Sequence, residues 1–264
     1  MTRRFLICAA PYLWIARAQS VEDKGRQAME GCLEAMGGAK YMSMEDRVEF
    51  GRAYSFYNEE LSGLARARIS VRHLKEPPSA GLPAIEERQA FGKNEDFGMI
   101  FAGGKAWQFS FRGARPARPE VLLRWTDSTL RNVFYILRHR LREPGMIFEH
   151  RGTEVLDNQP VEVVDVIDPD NRTVTVYLHY STKLPVRQVY VRRDLKTRER
   201  SEEVTIYSKY RDVGGGVQWP FAIQRNRDGQ KTFEMYAETV AINQRLPAAL
   251  FQVEGRLKIL PPAK

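Results

Sequence analysis

The side chains that could do acid–base or metal chemistry are few and lie far apart in the sequence. The chain has four histidines, His73, His139, His150 and His179. They fall on separate predicted elements and lack the spacing of metal ligands, so we expect no metal site. Glu86-Glu87 and Glu202-Glu203 are adjacent pairs in predicted strands. Neighbouring side chains of a strand point to opposite faces, so neither pair predicts a shared acid–base site.

Short catalytic motifs are also absent. The sequence contains no Gly-x-Ser-x-Gly, no His-Glu-x-x-His, no phosphate-binding P-loop and no Gly-x-Gly-x-x-Gly. We therefore expect that the protein is not an enzyme, that it has no catalytic residues and that it uses no cofactor. A hydrolase assembled from distant residues stays open as an alternative, and it would need a clustered His–carboxylate pair in the folded chain.

The first residues have the pattern of a secretory signal peptide. Arg3-Arg4 precedes an apolar run from Phe5 to Ile15, and Ala16-Arg17-Ala18 is a small-x-small cleavage site. We expect residues 1–18 to be removed on export by the Sec or the twin-arginine route, leaving a periplasmic chain. Since no second apolar segment follows, we expect a protein that is not integral to a membrane.

Composition excludes several other classes. Of the two cysteines, Cys8 falls in the signal, so Cys32 remains without an intramolecular partner and the fold depends on its core. The net charge of +8 comes from 41 basic and 33 acidic residues, which indicates a solvated, mixed-charge surface. For an exported protein of this kind we expect no nucleic-acid partner. Residues 19–264 are long enough for one all-β domain.

Two helices and a long series of strands must position these side chains. Residues 21–36 have an apolar stripe at helical spacing, ended by Gly37-Gly38. The period then changes to two. The predicted strands are 47–57, 64–75, 84–91, 96–102, 106–112, 147–156, 160–168, 172–180, 185–193, 201–210, 217–227 and 231–242. Asp228-Gly229 predicts a type I′ hairpin, so neighbouring strands are expected to pair as an antiparallel meander.

Between the two strand series the pattern predicts one helix, from Asp127 to Arg142, capped by Thr126 and closed by Pro144-Gly145. Arg115–Pro119 reads as a stiff connector. About a dozen antiparallel strands cannot stay flat, because strand twist curls a large sheet. The predicted fold class is therefore mainly β with α: a large curved antiparallel sheet that forms an incomplete β-barrel, covered by two or three helices.

Several short motifs, in order along most of the chain, carry a resemblance to a known family. They are Gly37-Gly38, Gly104–Trp107, Leu184–Arg187, Tyr207–Val213, Gly216–Pro220 and the segment from Ile242-Asn243 to Phe251. With these motifs the chain resembles the LolA/LolB-like superfamily of periplasmic lipoprotein carriers, in the diverged form known as outer-membrane lipoprotein-sorting proteins. The resemblance implies an open antiparallel half-barrel with helical lids, an apolar concave face for acyl chains, and no catalytic residues.

Candidate ligand-binding residues follow from the strand and helix patterns. The apolar candidates for a cavity lining are Trp107, Phe109, Trp125, Phe134, Leu137, Tyr177, Trp219, Phe221, Phe233 and Met235. The candidates for contacting lipid headgroups are Arg131, Arg138 and Arg142. Aromatic residues at period two are also typical of a core, and helix arginines of a solvated face, so these alternatives stay open.

The expected partners are lipid or lipoprotein acyl chains. The leading hypothesis is an exported, non-enzymatic carrier or binder of such a ligand. A second hypothesis is an envelope sensor or regulatory protein that uses the same fold to bind a protein partner.

Overall fold

The structure, a computed structural model, describes residues 10–193 and 197–262, with side chains from Val21 onward. Residues 1–9 of the predicted signal peptide lie outside the described residues, and residues 10–18 are described only as the start of the first helix. The strands are β1 Asp46–Tyr57, β2 Glu60–His73, β3 Ile85–Phe91, β4 Phe97–Ala102, β5 Lys105–Ser110, β6 Gly113–Pro116, β7 Ile147–Leu156, β8 Gln159–Ile167, β9 Thr173–His179, β10 Pro185–Arg193, β11 Arg200–Asp212, β12 Gln218–Arg227 and β13 Gln230–Ile242.

All thirteen strands form one antiparallel sheet in the order β6-β5-β4-β3-β2-β1-β13-β12-β11-β10-β9-β8-β7. Every predicted strand is present to within a few residues, and β6 is an additional strand in the segment predicted as a connector. Asp228 and Gly229 both have positive φ, 50° and 80°, as the predicted hairpin turn requires. The sheet curves without closing, so the predicted incomplete barrel is confirmed.

The first and the last strand of the sequence join the two halves of the sheet. β1–β6 is one meander and β7–β13 is the other, and β1 pairs antiparallel with β13. The register shifts between Phe50 and Gly51. A Cβ atom at Gly51 would lie 2.0 Å from the carbonyl oxygen of Tyr236, so only glycine allows the two backbones to approach this closely.

The first helix, α1, spans Ala10–Ala35 and packs on β7 and β8. Its predicted apolar stripe is buried from Gly25 to Met36, whereas Val21 is exposed. Gly37 and Gly38 have φ of 120° and 51°, and they end α1 as predicted. A short helix α2, Gly38–Met42, follows and contributes Tyr41 to the core.

The predicted single helix from Asp127 to Arg142 is wrong. The structure has a helix α3 at Pro119–Leu130, a break, a short helix α4 at Val133–Tyr135 and one π-helical turn at Ile136–Arg140. Pro119 starts α3 because its fixed φ suits the first helical turn and its missing N–H is not needed there. Asn132, not Thr126, is the capping residue, since its side-chain oxygen accepts from Phe134 N at 3.0 Å and Tyr135 N at 3.3 Å.

The main hydrophobic core lies between the helices and the half of the sheet formed by β7–β12. It joins α1, α2, α4 and the π-helical turn to the concave face, with Phe148, Leu137 and Met29 fully buried. Within the described residues, no helix is long and apolar enough to cross a bilayer.

Candidate functional site

Beside the main core, the concave face lines an open cavity of about 640 Å³, and Phe134, Tyr207 and Trp219 belong to both. Its walls are the concave faces of β1–β4 and β10–β13, and α3 with the adjoining Asn132 and α4 covers it. The apolar lining includes Ile69, Val71, Ile85, Phe91, Phe101, Val121, Trp125, Phe134, Trp219, Ile223, Phe233 and Met235. The polar lining includes Arg47, Glu49, His73, Glu87, Gln89, Gln188, Arg192, Glu203, Arg225 and Arg227. The cavity is thus amphipathic, with apolar and charged side chains in one lining.

The inner end of the cavity is aromatic. The ring of Phe134 lies 4.7 Å from that of Trp219 and 4.9 Å, edge-on, from that of Tyr207. Gln188 fixes this wall, because its Oε1 accepts from the Tyr207 hydroxyl and from Val133 N, both at 2.9 Å. Burial raises the pKa of Tyr207, so its hydroxyl stays a neutral donor.

A buried ion pair crosses the floor beside Trp219. Arg47 Nε donates to Glu49 Oε1 at 2.8 Å, and the Arg47 guanidinium lies 3.8 Å above the Trp219 ring. Their side chains are only 12% and 4% exposed, a burial that a charged pair tolerates when both charges have partners. The indole N–H of Trp219 is buried without a hydrogen-bond partner among the described residues, so the floor offers one unused donor.

Helix α3 is attached to the sheet by Trp125. Its indole stacks on Phe101 with ring centroids 4.7 Å apart, and its Nε1 donates to Glu87 Oε2 at 2.7 Å. The other oxygen of Glu87 accepts from Gln89 at 2.7 Å. Among the described residues α3 makes no backbone hydrogen bond to the sheet. The contacts of Trp125, together with the burial of Leu130 in one cluster with Val71 and Ile85, help to hold this cover over the cavity.

Two of the four histidines meet, contrary to the expectation from their separation in sequence. His73 Nδ1 lies 2.9 Å from His139 Nε2, and His139 also stacks on Tyr135 at 4.7 Å. Burial and the nearby positive charge of Arg138 lower the pKa of His73 to about 2 and that of His139 to about 4. Both rings are therefore neutral at neutral pH, and they link β2 to the π-helical turn.

His150 also has a partner. It pairs with a carboxylate, so the isolation of all four histidines, which would have excluded the hydrolase alternative, is not found. His150 Nε2 lies 3.0 Å from Glu162 Oε1, and Lys183 Nζ lies 2.8 Å from Glu162 Oε2. Among the described residues, the hydrogen bonds of this group include no hydroxyl or thiol nucleophile. Nor do three potential metal ligands cluster anywhere in the described chain.

The outer end of the cavity is charged. Glu203 accepts from Arg192 and, at 2.8 Å, from Arg227 Nε, while Arg225 lies over the Phe233 ring at 5.3 Å. Arg225 and Arg227 are exposed, whereas Arg192 and Glu203 have side chains only 17% and 13% exposed. The exposed pair marks the side on which the cavity opens to solvent.

The structure places half of the predicted apolar ligand residues at this cavity. The lining residues are Trp125, Phe134, Trp219, Phe233 and Met235. Five others lie elsewhere. Trp107 and Phe109 belong to a small core with Val253, and Leu137 is fully buried in the main core. Tyr177 is half-buried and belongs to neither of these two cores. The Arg211 guanidinium lies 4.5 Å from the centre of the Phe221 ring.

The three predicted headgroup arginines are not brought together in the cavity. Arg131 binds the Asp127 carboxylate four residues before it and lies 5.2 Å from the Tyr190 ring. Arg138 donates to the carbonyl oxygens of Tyr41, at 2.7 Å, and Met42. Arg142 is exposed just after the π-helical turn. The single helix that was predicted to carry all three is broken at Asn132, which separates Arg131 from the other two.

Sequence reasoning missed the polar lining, although one signal for it was present. Residues 219, 221, 223, 225 and 227 of β12 share a face by the strand period of two. That period places Arg225 and Arg227 with Trp219, one of the predicted aromatic residues. Arg192, Glu203 and His73 reach the site from other strands, and no local pattern links them to it.

The fold and the site define an open antiparallel half-barrel whose concave face carries a helix-covered cavity. A DUF1329 family protein from Desulfovibrio piger is similar in structure, with a TM-score of 0.59 and 10% sequence identity over 88% of this chain and 97% of that one. A domain assigned to the outer membrane lipoprotein-sorting proteins, from Vibrio parahaemolyticus, has a TM-score of 0.52 and 12% identity, over 85% and 97%. A LolA superfamily protein from Nitrosomonas europaea has a TM-score of 0.48 and 13% identity, over 89% and 97%.

No protein-family model matches the sequence, and no protein with a curated description is similar to it in sequence. The structural comparisons nevertheless agree with the resemblance carried by the sequence motifs. The chain has a LolA-like fold. At identities of 10% and 12% this likeness concerns the fold alone.

Proposed function

We propose that this protein is an exported, non-enzymatic carrier or binder of a lipidic or lipoprotein acyl ligand. In this proposal residues 1–18 are a cleaved signal peptide, and residues 19–264 act in the periplasm as one half-barrel domain. The ligand lies between the sheet and α3, which takes the gating role that the sequence analysis gave to a helix at residues 127–142.

The observation that carries the proposal is the cavity itself. Its volume of about 640 Å³ falls within the roughly 300–1,000 Å³ of small-molecule sites. The inner end presents Trp219 and Phe134, so an acyl chain entering there would leave water for an apolar surface. Each buried methylene contributes about 0.8 kcal/mol. A whole chain therefore binds strongly through contacts that need no catalytic group.

Native mass spectrometry of the protein purified from its host envelope, together with titration by a fluorescent fatty acid, tests this proposal. Ile69→Trp places a bulky ring at the lining, and Ile147→Trp makes the same change on β7 at a 40% exposed position outside the cavity. We expect wild type and I147W to take up the probe, and I69W to lose uptake while keeping a cooperative thermal transition. Ligand-free native protein together with no uptake by the wild type would contradict the proposal.

A second candidate is the envelope sensor or regulatory protein. It is favoured by three exposed apolar side chains at the end of the β1–β2 hairpin, Tyr57, Leu61 and Leu64, which are 73%, 57% and 59% exposed. Co-purification from the host envelope with wild type and with a triple serine variant of these residues separates the candidates. A partner lost in the variant, with lipid uptake absent from both, would favour the sensor.

A further inference from the structure

We propose that the cavity selects amphiphiles with an anionic headgroup, and that Arg192, Arg225 and Arg227 hold this headgroup at the cavity mouth. The inference rests on the proposed function, since it names the class of lipid that the same cavity would bind. It replaces Arg131, Arg138 and Arg142, none of which is among the residues that line the cavity.

The balance of charge at the mouth is the first argument. Two guanidinium groups, those of Arg192 and Arg227, pair with the Glu203 carboxylate, and a third, that of Arg225, lies on the same face of β12 as Arg227. Within the described residues, no carboxylate lies within ion-pair distance of Arg225. The cluster therefore keeps a positive excess, and a local positive potential attracts an anion.

The chemistry of the side chains is the second argument. A guanidinium presents a planar fork of donors that matches both carboxylate and phosphate, and it keeps its charge at any physiological pH. Arg192 Nε is buried without a hydrogen-bond partner among the described residues. The mouth thus retains both unused donor capacity and positive charge, the two properties that an anionic headgroup needs.

The third argument is the arrangement of the mouth relative to the apolar end. Arg225 is exposed and Trp219 is 2% exposed, and both line the same cavity. They are six positions apart in the strand, which corresponds to about 20 Å along β12. A long acyl chain with its charged end at Arg225 would therefore reach the aromatic end without burying its charge.

Binding to matched probes tests the inference. The probes are oleate, oleyl alcohol, lysophosphatidylglycerol and lysophosphatidylcholine, titrated against wild type, the double variant R225Q/R227Q, and the control R52Q. Arg52 pairs with Glu238 outside the cavity, and its side chain is 61% exposed. We expect R225Q/R227Q to lose about threefold to tenfold in affinity for the anionic probes and to keep its affinity for the alcohol. R52Q should match the wild type.

Two further measurements sharpen the result. Raising the ionic strength should reduce the preference of the wild type for anions, and E203Q, which removes the one carboxylate, should strengthen anion binding a few-fold. A loss confined to lysophosphatidylglycerol assigns the cluster to phosphate headgroups, and a loss confined to oleate assigns it to carboxylates.

The outcomes also separate this inference from the proposed function. If the wild type binds oleate and oleyl alcohol equally, or if R225Q/R227Q binds oleate as the wild type does, the headgroup inference is overturned while the carrier proposal stands. If the wild type binds none of the four probes, the proposed function is overturned as well.

Discussion

The indole of Trp125 in α3 donates a 2.7 Å hydrogen bond to the carboxylate of Glu87 in β3, while its ring stacks on Phe101. This contact joins the cover of the cavity to the sheet beneath it. The cover is a separate helix, because the chain breaks at Asn132 before α4 begins. None of the main-core residues lies in α3, so we expect α3 to be able to move while that core stays intact.

Trp125→Phe tests this attachment. The phenylalanine keeps a ring to stack on Phe101 and loses the N–H that Glu87 accepts. Since a hydrogen bond to a charged group contributes about 1.5–3 kcal/mol, we expect faster amide hydrogen exchange in α3 and release of a bound fluorescent fatty acid at least about tenfold faster. Trp107→Phe, outside the cavity, is the control. Unchanged exchange in α3 would show that the hydrogen bond does not hold the cover.

Two glycines of α1 should respond to alanine in opposite directions. A Cβ at Gly25 would lie 2.3 Å from the carbonyl oxygen of Phe148, whereas a Cβ at Gly31 meets nothing within 4 Å. Gly25→Ala is expected to lower the free energy of unfolding by about 1–3 kcal/mol through overpacking against β7. Gly31→Ala should raise it by about 0.5–1 kcal/mol, because alanine restricts the unfolded chain and favours the helix. Urea unfolding measures both, and equal effects would contradict the close packing of α1.

The His73–His139 pair predicts a loss of stability on acidification. Both pKa values lie below the usual 6.5, at about 2 and about 4, so between pH 6.5 and pH 4 the unfolded chain binds more protons than the folded one. Stability is full above pH 6.5 and falls as the pH drops, with a slope approaching about 1.4 kcal/mol per pH unit for each histidine. Urea unfolding at a series of pH values measures this slope.

The variant H73Q/H139F serves as the comparison for the acid dependence. It removes both titrating groups and keeps an aromatic ring against Tyr135. The difference in stability between pH 7 and pH 4.5 should shrink in the variant. An identical pH profile for the two proteins would assign the acid sensitivity to other groups.

Arg138 is expected to act on stability and not on ligand charge. It ties the π-helical turn to α2 through the carbonyl oxygens of Tyr41 and Met42. Arg138→Gln should lower the free energy of unfolding by about 1–3 kcal/mol, since it removes charge-assisted hydrogen bonds. The ratio of oleate to oleyl alcohol affinity should stay as in the wild type. A lower ratio in R138Q would restore the headgroup role that the sequence suggested for this arginine.

The strands and their turns could be predicted because the signals are local. Alternation sets which side chains share a face, and a turn such as Asp228-Gly229 requires two residues with positive φ. The helix between the strand series could not be delimited in the same way. Its apolar spacing continues across the break, so only the capping contacts of Asn132 show where one helix ends and the next begins.

The sequence by itself determined an antiparallel meander too long to stay flat, and it identified five of the twelve apolar residues named above as lining the cavity, since strand period and twist follow from the backbone. Only the tertiary structure decided which polar groups meet. His73 and His139 are 66 residues apart in sequence and 2.9 Å apart in space. Arg192, Glu203 and Arg227 come from three strands and form one cluster. Such contacts depend on the curvature of the sheet, which sums small twists over thirteen strands and leaves no local trace.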